Sequence, residues 1–244
     1  MNPFAKHGIR HLSPSSLKLY REQPAAWVCR YLMGIKDEAG PGAWRGTAVE
    51  AGLNHYLLGQ PEYATKAMHV AFEEKAAGVA DDQIHKEREA LPQFLAQARE
   101  ALKDKPTLGP KDQQRKIEIE LQDIEVPLIG FIDYLWPDHG VDLKTTWRLP
   151  SEPKPEHVEQ MACYMMATGV PFHLCYVTPK KWAIYEVSPE MAKDAYERIL
   201  TGARAVRHML SKVDSASDAL RLYSPDLESF HWSPPLIEAY RSAA

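Results

Sequence analysis

"GFIDYLWPDHGVDLKTT", residues 130–146, sets two apolar runs on either side of a Pro-Asp-His-Gly turn and interrupts each with charge. Both runs alternate in the period-two pattern of half-buried strands, so the stretch reads as an antiparallel hairpin. If Trp136 and Val141 flank the turn as a pair, Asp133 lies opposite Lys144 and Leu135 opposite Asp142. Asp133, Asp142 and Lys144 then share one face of the sheet, while Val141, Leu143 and Thr145 point to the other. In this register the two aspartates are diagonal neighbours, with backbones roughly 7–8 Å apart. Carboxylates that close repel unless a proton or a cation joins them, and Lys144 alone neutralises only one. An oxygen-only set suits a hard ion, Mg²⁺ or Mn²⁺, which would hold a phosphate and a water together while the compact charge of Lys144 orients or helps deprotonate that water. The same residues would also serve as a surface hairpin with cross-strand ion pairs, each worth under ~1 kcal/mol. The hairpin alone leaves both readings open.

Working outward, "KIEIEL" at 116–121 alternates Ile117, Ile119 and Leu121 with charge, and "VPLIGFIDYLW" continues into the hairpin, so a sheet begins just before it. "HLCYVT" and "KWAIYEV", on either side of a turn at Pro179, read as two further strands. Between them and the hairpin, "PEHVEQMACYMMATG" reads as a helix ended by Gly169. This sheet core spans 115–188, and closing helices follow over 189–244. The preceding 12–105 read as helical. Ser13-Pro14 is a helix start, Pro24 divides the first apolar pattern in two, "GPG" at 40–42 is a loop, and Trp44, Val49, Leu53, Tyr56 and Leu57 recur at helical spacing. Residues 62–104, rich in Ala, Glu, Lys and Gln, read as about two solvated helices. The expected fold is α/β, with a mixed central sheet of about five strands flanked by helices. The 244 residues, 45% hydrophobic, suffice for a full core, and 1–244 is expected to form a single domain.

The 33 acidic against 29 basic residues leave a formal charge of −4, so bulk electrostatics do not announce a nucleic-acid partner, and any such partner would need a local basic groove. Cys29, Cys163 and Cys175 are odd in number and lack zinc or disulfide-framework spacing, which fits a reducing compartment. No apolar run approaches a membrane span, and "MNPFAKHGIRHL" lacks the apolar core of a signal peptide, so a cytoplasmic location without membrane association is expected. No GxxxxGK[ST] phosphate loop is present.

Asp133 on one strand, Asp142-Leu143-Lys144 on the next and Gln160-Met161-Ala162-Cys163-Tyr164 on a following helix together resemble the PD-(D/E)XK nucleases, whose pattern is D…(D/E)xK…QxxxY. Within them the chain is similar to the branch containing the RecB nuclease domain, Cas4 proteins and phage recombination exonucleases. "HLSPSSLKLYREQPAAW" resembles that branch's opening helix, and "RGTAVEAGL" its GxxxH or GxxxE helix, with Glu50 where histidine is common. His55 is five residues further on, about 500° around a helix, so it cannot share one ion with Glu50. The resemblance implies a restriction-endonuclease-like core and a metal-dependent deoxyribonuclease, most simply an exonuclease acting on DNA ends in phage recombination or repair. Its alternatives are an endonuclease of the same superfamily or a non-catalytic DNA-binding module.

By that resemblance Glu50, Asp133, Asp142 and the Leu143 carbonyl would hold Mg²⁺ or Mn²⁺, with Asp133, Asp142, Lys144, Gln160 and Tyr164 as the catalytic set. Gln160 and Tyr164, four residues apart on one helix face, would brace the lysine or reach the DNA backbone. Some members of the branch carry four cysteines for an iron–sulfur cluster, one of them just before the proline of the first helix. Here Gln23 precedes Pro24 and the chain has only three cysteines, so no iron–sulfur cluster held by four of its own cysteines is expected. The implied substrate is DNA, as linear duplex or single strand. Relatives work beside single-strand annealing or single-strand binding proteins, and some close into rings around DNA, so those partners and a homo-oligomer are implied as well. Candidate DNA contacts are Ser13, Ser15 and Ser16 at a helix amino terminus, Arg45 and Thr47 before the metal helix, and Trp44, with ordinary capping and core packing as their alternative roles.

Overall fold

Nineteen prolines punctuate the chain, and most of its helices start on one, where the missing N–H is no loss and the fixed φ suits the first turn. The computed structural model describes residues 2–36, 39–79, 82–229 and 231–243. Its amino-terminal part is helical: α1 (Pro3–Lys6), α2 (Pro14–Glu22), α3 (Pro24–Tyr31), α4 (Pro41–Leu57), α5 (Pro61–Ala76) and α6 (Asp82–Ala101). Strands β1 (Gln113–Ile119), β2 (Leu128–Leu135) and β3 (Gly140–Thr145) follow, then α7 (Pro155–Thr168), β4 (Phe172–Val177) and β5 (Trp182–Glu186). Helices α8 (Pro189–Lys212), α9 (Ala216–Leu220) and α10 (Pro234–Ala243) close the chain. The "GPG" stretch is no loop: Gly40 caps α4 and Pro41 opens it, the usual place for a helix proline. The short α1, capped by the Asn2 side chain, was not expected from the sequence.

The five strands form one mixed sheet in the order β1-β2-β3-β4-β5. All neighbours are antiparallel except β3 and β4, whose parallel pairing requires a crossover, supplied by α7. One face carries α1, α2, α3, α7 and α8, whose Phe4, Leu17, Trp27, Met161 and Ile199 pack with Phe172 and Leu174 of β4. The other face carries α4, α5 and α6, packing Val49, Leu53, Phe72 and Phe94 against Tyr134, Val141, Leu143 and Cys175. Glu159 of α7 is buried at the first face and held by Arg21 of α2 at 2.5 Å and Arg198 of α8 at 3.1 Å, which fixes α7 between its neighbours.

The hairpin register differs from the expected one by two residues. Tyr134 pairs with Val141 and Leu135 with Gly140, and the Trp136 N–H donates to the His139 carbonyl, so only Pro137 and Asp138 form the turn. Carried one residue past the last paired positions, this register brings Asp133 to the level of Asp142, not Lys144, at the point where the two strands separate. A shift of two keeps every residue on its face, so the grouping of Asp133, Asp142 and Lys144 survives the correction.

Candidate active site

Asp142 is fully buried in the middle of β3, paired with Leu174, and Lys144 is paired with Tyr176 on the same strand. Lys144 Nζ lies 2.6 Å from Asp142 Oδ2, an ion pair, and donates to Gln160 Oε1 at 3.0 Å. Asp142 Oδ1 is buried with no partner, an orphaned acceptor that burial makes costly and that a cation would satisfy. Burial would lower the Lys144 pKa, but Asp142 and Asp133 outweigh it and hold the ammonium protonated above its ordinary range.

Asp133 sits where β2 and β3 part. The backbone ladder ends at Tyr134 and Val141, and the next strand N–H, that of Leu143, donates to Asp133 Oδ2 at 2.8 Å. The carboxylate thus lies between the strands in place of a backbone acceptor, and Gln114 Nε2 donates to its other oxygen at 3.0 Å. Glu50, on α4, completes the charge cluster. Burial first, then repulsion from Asp142, raises its carboxyl to about 7, partly offset by Lys144 and the Gln114 amide. Asp133 is pushed well above the carboxylate range by burial, Asp142 and Glu50, and Asp142 is raised by burial against the opposing pull of Lys144. Among the described residues no three His, Cys, Asp or Glu side chains form a ready-made cage. The donors fit an ion that keeps much of its water and takes one or two carboxylates plus substrate oxygens, the habit of Mg²⁺.

Helix α7 brings up the remaining motif residues. Gln160 Nε2 and the Phe131 carbonyl both lie 2.5 Å from the Tyr164 hydroxyl, whose proton goes to the carbonyl. Lys144, Gln160, Tyr164 and β2 therefore form one chain of hydrogen bonds. The ring crosses the sheet only because residue 130 is glycine: a Cβ there would lie 2.7 Å from Tyr164 Cε1.

Of the motif residues, Asp133, Lys144, Gln160 and Tyr164 line a cleft of about 640 Å³ shared with Ser13, Ser15, Lys18 and His157, whereas the buried Asp142 and the half-buried Glu50 do not. The Leu12 carbonyl accepts from Ile129 N–H, and Leu12 N–H donates to Pro127, which hooks the start of α2 onto β2 and places Ser13 at the cleft. Ser15 is exposed there, whereas Ser16 is buried and closes a reciprocal cap with Ser13. Trp44 and Arg45 do not reach the cleft. Trp44 packs in the core, and Arg45 is buried against Glu87 at 2.5 Å, with Thr145 and the Phe94 ring as its other partners. Thr47 is exposed on α4, and His55 bonds Gln60 away from Glu50. The hairpin pattern did not disclose Gln114 or His157. Tyr176 accepts the Lys154 N–H and so is free to donate to His157 Nδ1 at 2.7 Å, leaving the imidazole proton on Nε2. Burial and the nearby Lys144, Lys154 and Lys18 hold His157 neutral, its pKa lowered to about 3. Its position three residues before Gln160, hence on the same helix face, was the available signal.

A model of the PD-(D/E)XK nuclease superfamily matches residues 11–226. The chain belongs to the PD-(D/E)XK nuclease superfamily. Its members are nucleases, phosphodiester hydrolases that generally use divalent metals. Among solved structures the PD-(D/E)XK chain is similar to a protein from Eubacterium rectale provisionally named an exonuclease, with 14% identity and a TM-score of 0.62 over 87% of this chain and 86% of that one. At such identity the likeness shows the fold alone. A second structure, SSO0001, is 15% identical over 77% of this chain and 84% of its own, and its TM-score of 0.33 carries no argument. A search among curated proteins finds no match. Among the described residues no helix is long and apolar enough to cross a membrane.

Proposed function

We propose that this PD-(D/E)XK protein is a deoxyribonuclease dependent on Mg²⁺ or Mn²⁺ that degrades DNA from an end, in recombination or repair. The observation that carries the reading is the buried, unpartnered oxygen of Asp142 beside Lys144 and Asp133, an arrangement that costs stability and has a purpose only if a cation and a reacting phosphate complete it. Asp133, Asp142 and the Leu143 carbonyl, with Glu50, would hold the ion, which when bound supplies Lewis acidity to the phosphate and acidifies a water.

The chain's own residues account for the rest. Once the carboxylate charge is offset, the pull that keeps Lys144 protonated weakens, and burial moves its amine toward a state that accepts a proton from water. The hydroxide oxygen forms a bond to phosphorus, the bond from phosphorus to one bridging oxygen breaks, and that oxygen leaves as an alkoxide that takes its proton from solvent water. Gln160, fixed by Tyr164, holds the Lys144 amine on line throughout. Ser13 and Ser15 hydroxyls and the His157 Nε2–H face the same cleft and suit the neighbouring phosphates. An end is favoured because the sequence offers no recognition helix flanked by a basic patch and its net charge of −4 gives little hold on duplex DNA, so selectivity falls to a feature such as a frayed end. The E. rectale protein's provisional name agrees with this choice.

The test sets linear DNA beside covalently closed circles with Mg²⁺, Mn²⁺ or EDTA. Progressive loss of linear DNA only, abolished by EDTA and by Asp142→Asn or Lys144→Ala, is expected. Discrete fragments from closed circles would mean an endonuclease, and survival of both substrates a non-catalytic binding module.

A further inference from the structure

Gln114 stands out on two grounds independent of the motif. Its φ is +49°, in the left-handed region that only glycine, and less often asparagine or aspartate, enters without strain. It occurs near the start of a strand, in a register that pairs Gln113 with Tyr134 and Arg115 with Ile132, so Gln114 falls opposite Asp133 at the one position where the ladder skips. The alternation of β2 breaks at the same level: Ile132 packs with the α7 side of the sheet and Tyr134 with the α4 side.

Strain of this sort usually persists because packing imposes it. Here packing does not, since Gln114 is exposed at the lip of the cleft. What the conformation achieves is the aim of the amide: Nε2 donates to Asp133 Oδ1 at 3.0 Å, and the same side chain lies close enough to Glu50 to favour its charged form. Leu143 N–H already holds Asp133 Oδ2. Asp133 is thereby clamped at both oxygens, with one lone pair on each left over, beside a carboxylate from a separate helix.

We infer that Gln114 is a positioning residue that orients Asp133, beside Glu50, toward a divalent cation, its left-handed backbone being the strain retained for that purpose. The inference rests on the metal-site reading proposed above. Hydrogen-bond partners behind a metal ligand typically account for 10–100-fold in metal affinity, and Gln114 behind Asp133 belongs in that range.

The experiment measures Mn²⁺ binding to the DNA-free protein by calorimetry or electron paramagnetic resonance, beside thermal melts, for wild type, Gln114→Ala, Gln114→Asn and Gln114→Gly. Wild type is expected to bind Mn²⁺, and all three variants to bind roughly tenfold or more weakly, Asn because its amide is one methylene short. Gly, which occupies positive φ freely, should melt above Ala by a few degrees while binding no better. Gln114 is exposed, so each variant should fold. Variant affinities within twofold of wild type would overturn the positioning role, and Gly melting no higher than Ala would overturn the strain. Absence of Mn²⁺ binding by wild type would instead overturn the metal site itself.

Discussion

At the scale of the residue, Glu50 makes the site's electrostatics measurable without any substrate. Its carboxyl titrates near 4.3 in an unfolded chain and at about 7 in the fold, raised by burial and by Asp142. A folded pKa above the unfolded one means that the native state binds the proton more tightly. The group's contribution is therefore fully present below about pH 4 and is lost as pH rises through about 7. Glu50→Gln removes that loss. In EDTA the variant should melt higher than wild type at about pH 8, by ~1–3 kcal/mol or a few degrees, and should show no advantage at about pH 4. Saturating Mg²⁺ should erase the difference by stabilising the wild type more. A variant that gains equally at both pH values would show that Glu50 is not charged against its neighbours. Glu50, Asp133, Asp142 and Lys144 were legible in the sequence because alternation and motif spacing fix which face a side chain takes. Gln114 was not, since a left-handed φ in the middle of "DQQRKI" has no local signature. The hairpin register slipped because Pro-Asp-His-Gly permits both a four-residue turn and the two-residue turn the chain adopts, and sequence does not choose between them.

At the scale of the element, the β2–α7 contact decides how firmly Lys144 is held. Gly130 lets the Tyr164 ring lie against the strand, and the hydroxyl then bonds the Phe131 carbonyl and Gln160, which in turn accepts from Lys144. Gly130→Ala places a methyl 2.7 Å from a buried ring, and rings in cores do not yield cheaply. The variant should lose ~1–3 kcal/mol of stability and most of its nuclease activity at temperatures where it remains folded. Tyr164→Phe keeps the ring and drops only the hydroxyl, so it should retain stability better while still lowering kcat. If Gly130→Ala cleaves DNA like wild type, the helix does not govern the lysine. Element boundaries were easy to read where proline opens a helix, as at Pro14, Pro24 and Pro155. "GPG" misled because the same residues that make a loop also make a Gly-capped, proline-initiated helix, and only the helix packing beyond Trp44 distinguishes them.

At the scale of the whole molecule, Arg45 shows how a residue beside a motif can belong to the scaffold. It reaches from α4 to Glu87 on α6 and to Thr145 at the end of β3, under the Phe94 and Trp147 rings, so it joins the helical layer to the strand that carries Asp142 and Lys144. The sequence left Arg45 open between a DNA contact and a structural role because its partners lie 42 and 100 residues away, beyond any local pattern. Both charges of the Arg45–Glu87 pair are about 7% exposed, so removing one strands the other in the core. Glu87→Leu alone should cost ~3–5 kcal/mol, a fall in Tm on the order of 10 °C, whereas Arg45→Met with Glu87→Leu should recover much of it, because an apolar pair leaves no charge uncompensated. The decisive measurement is the salt dependence of DNA binding. A side chain on a phosphate contributes about one unit to the slope of log K against log salt, and its loss makes the slope shallower by that amount. The double variant should bind with the wild-type slope, since Arg45 touches no phosphate. A slope reduced by one unit would instead mean that Arg45 leaves Glu87 for DNA, and that the α4–α6 layer opens when the substrate enters.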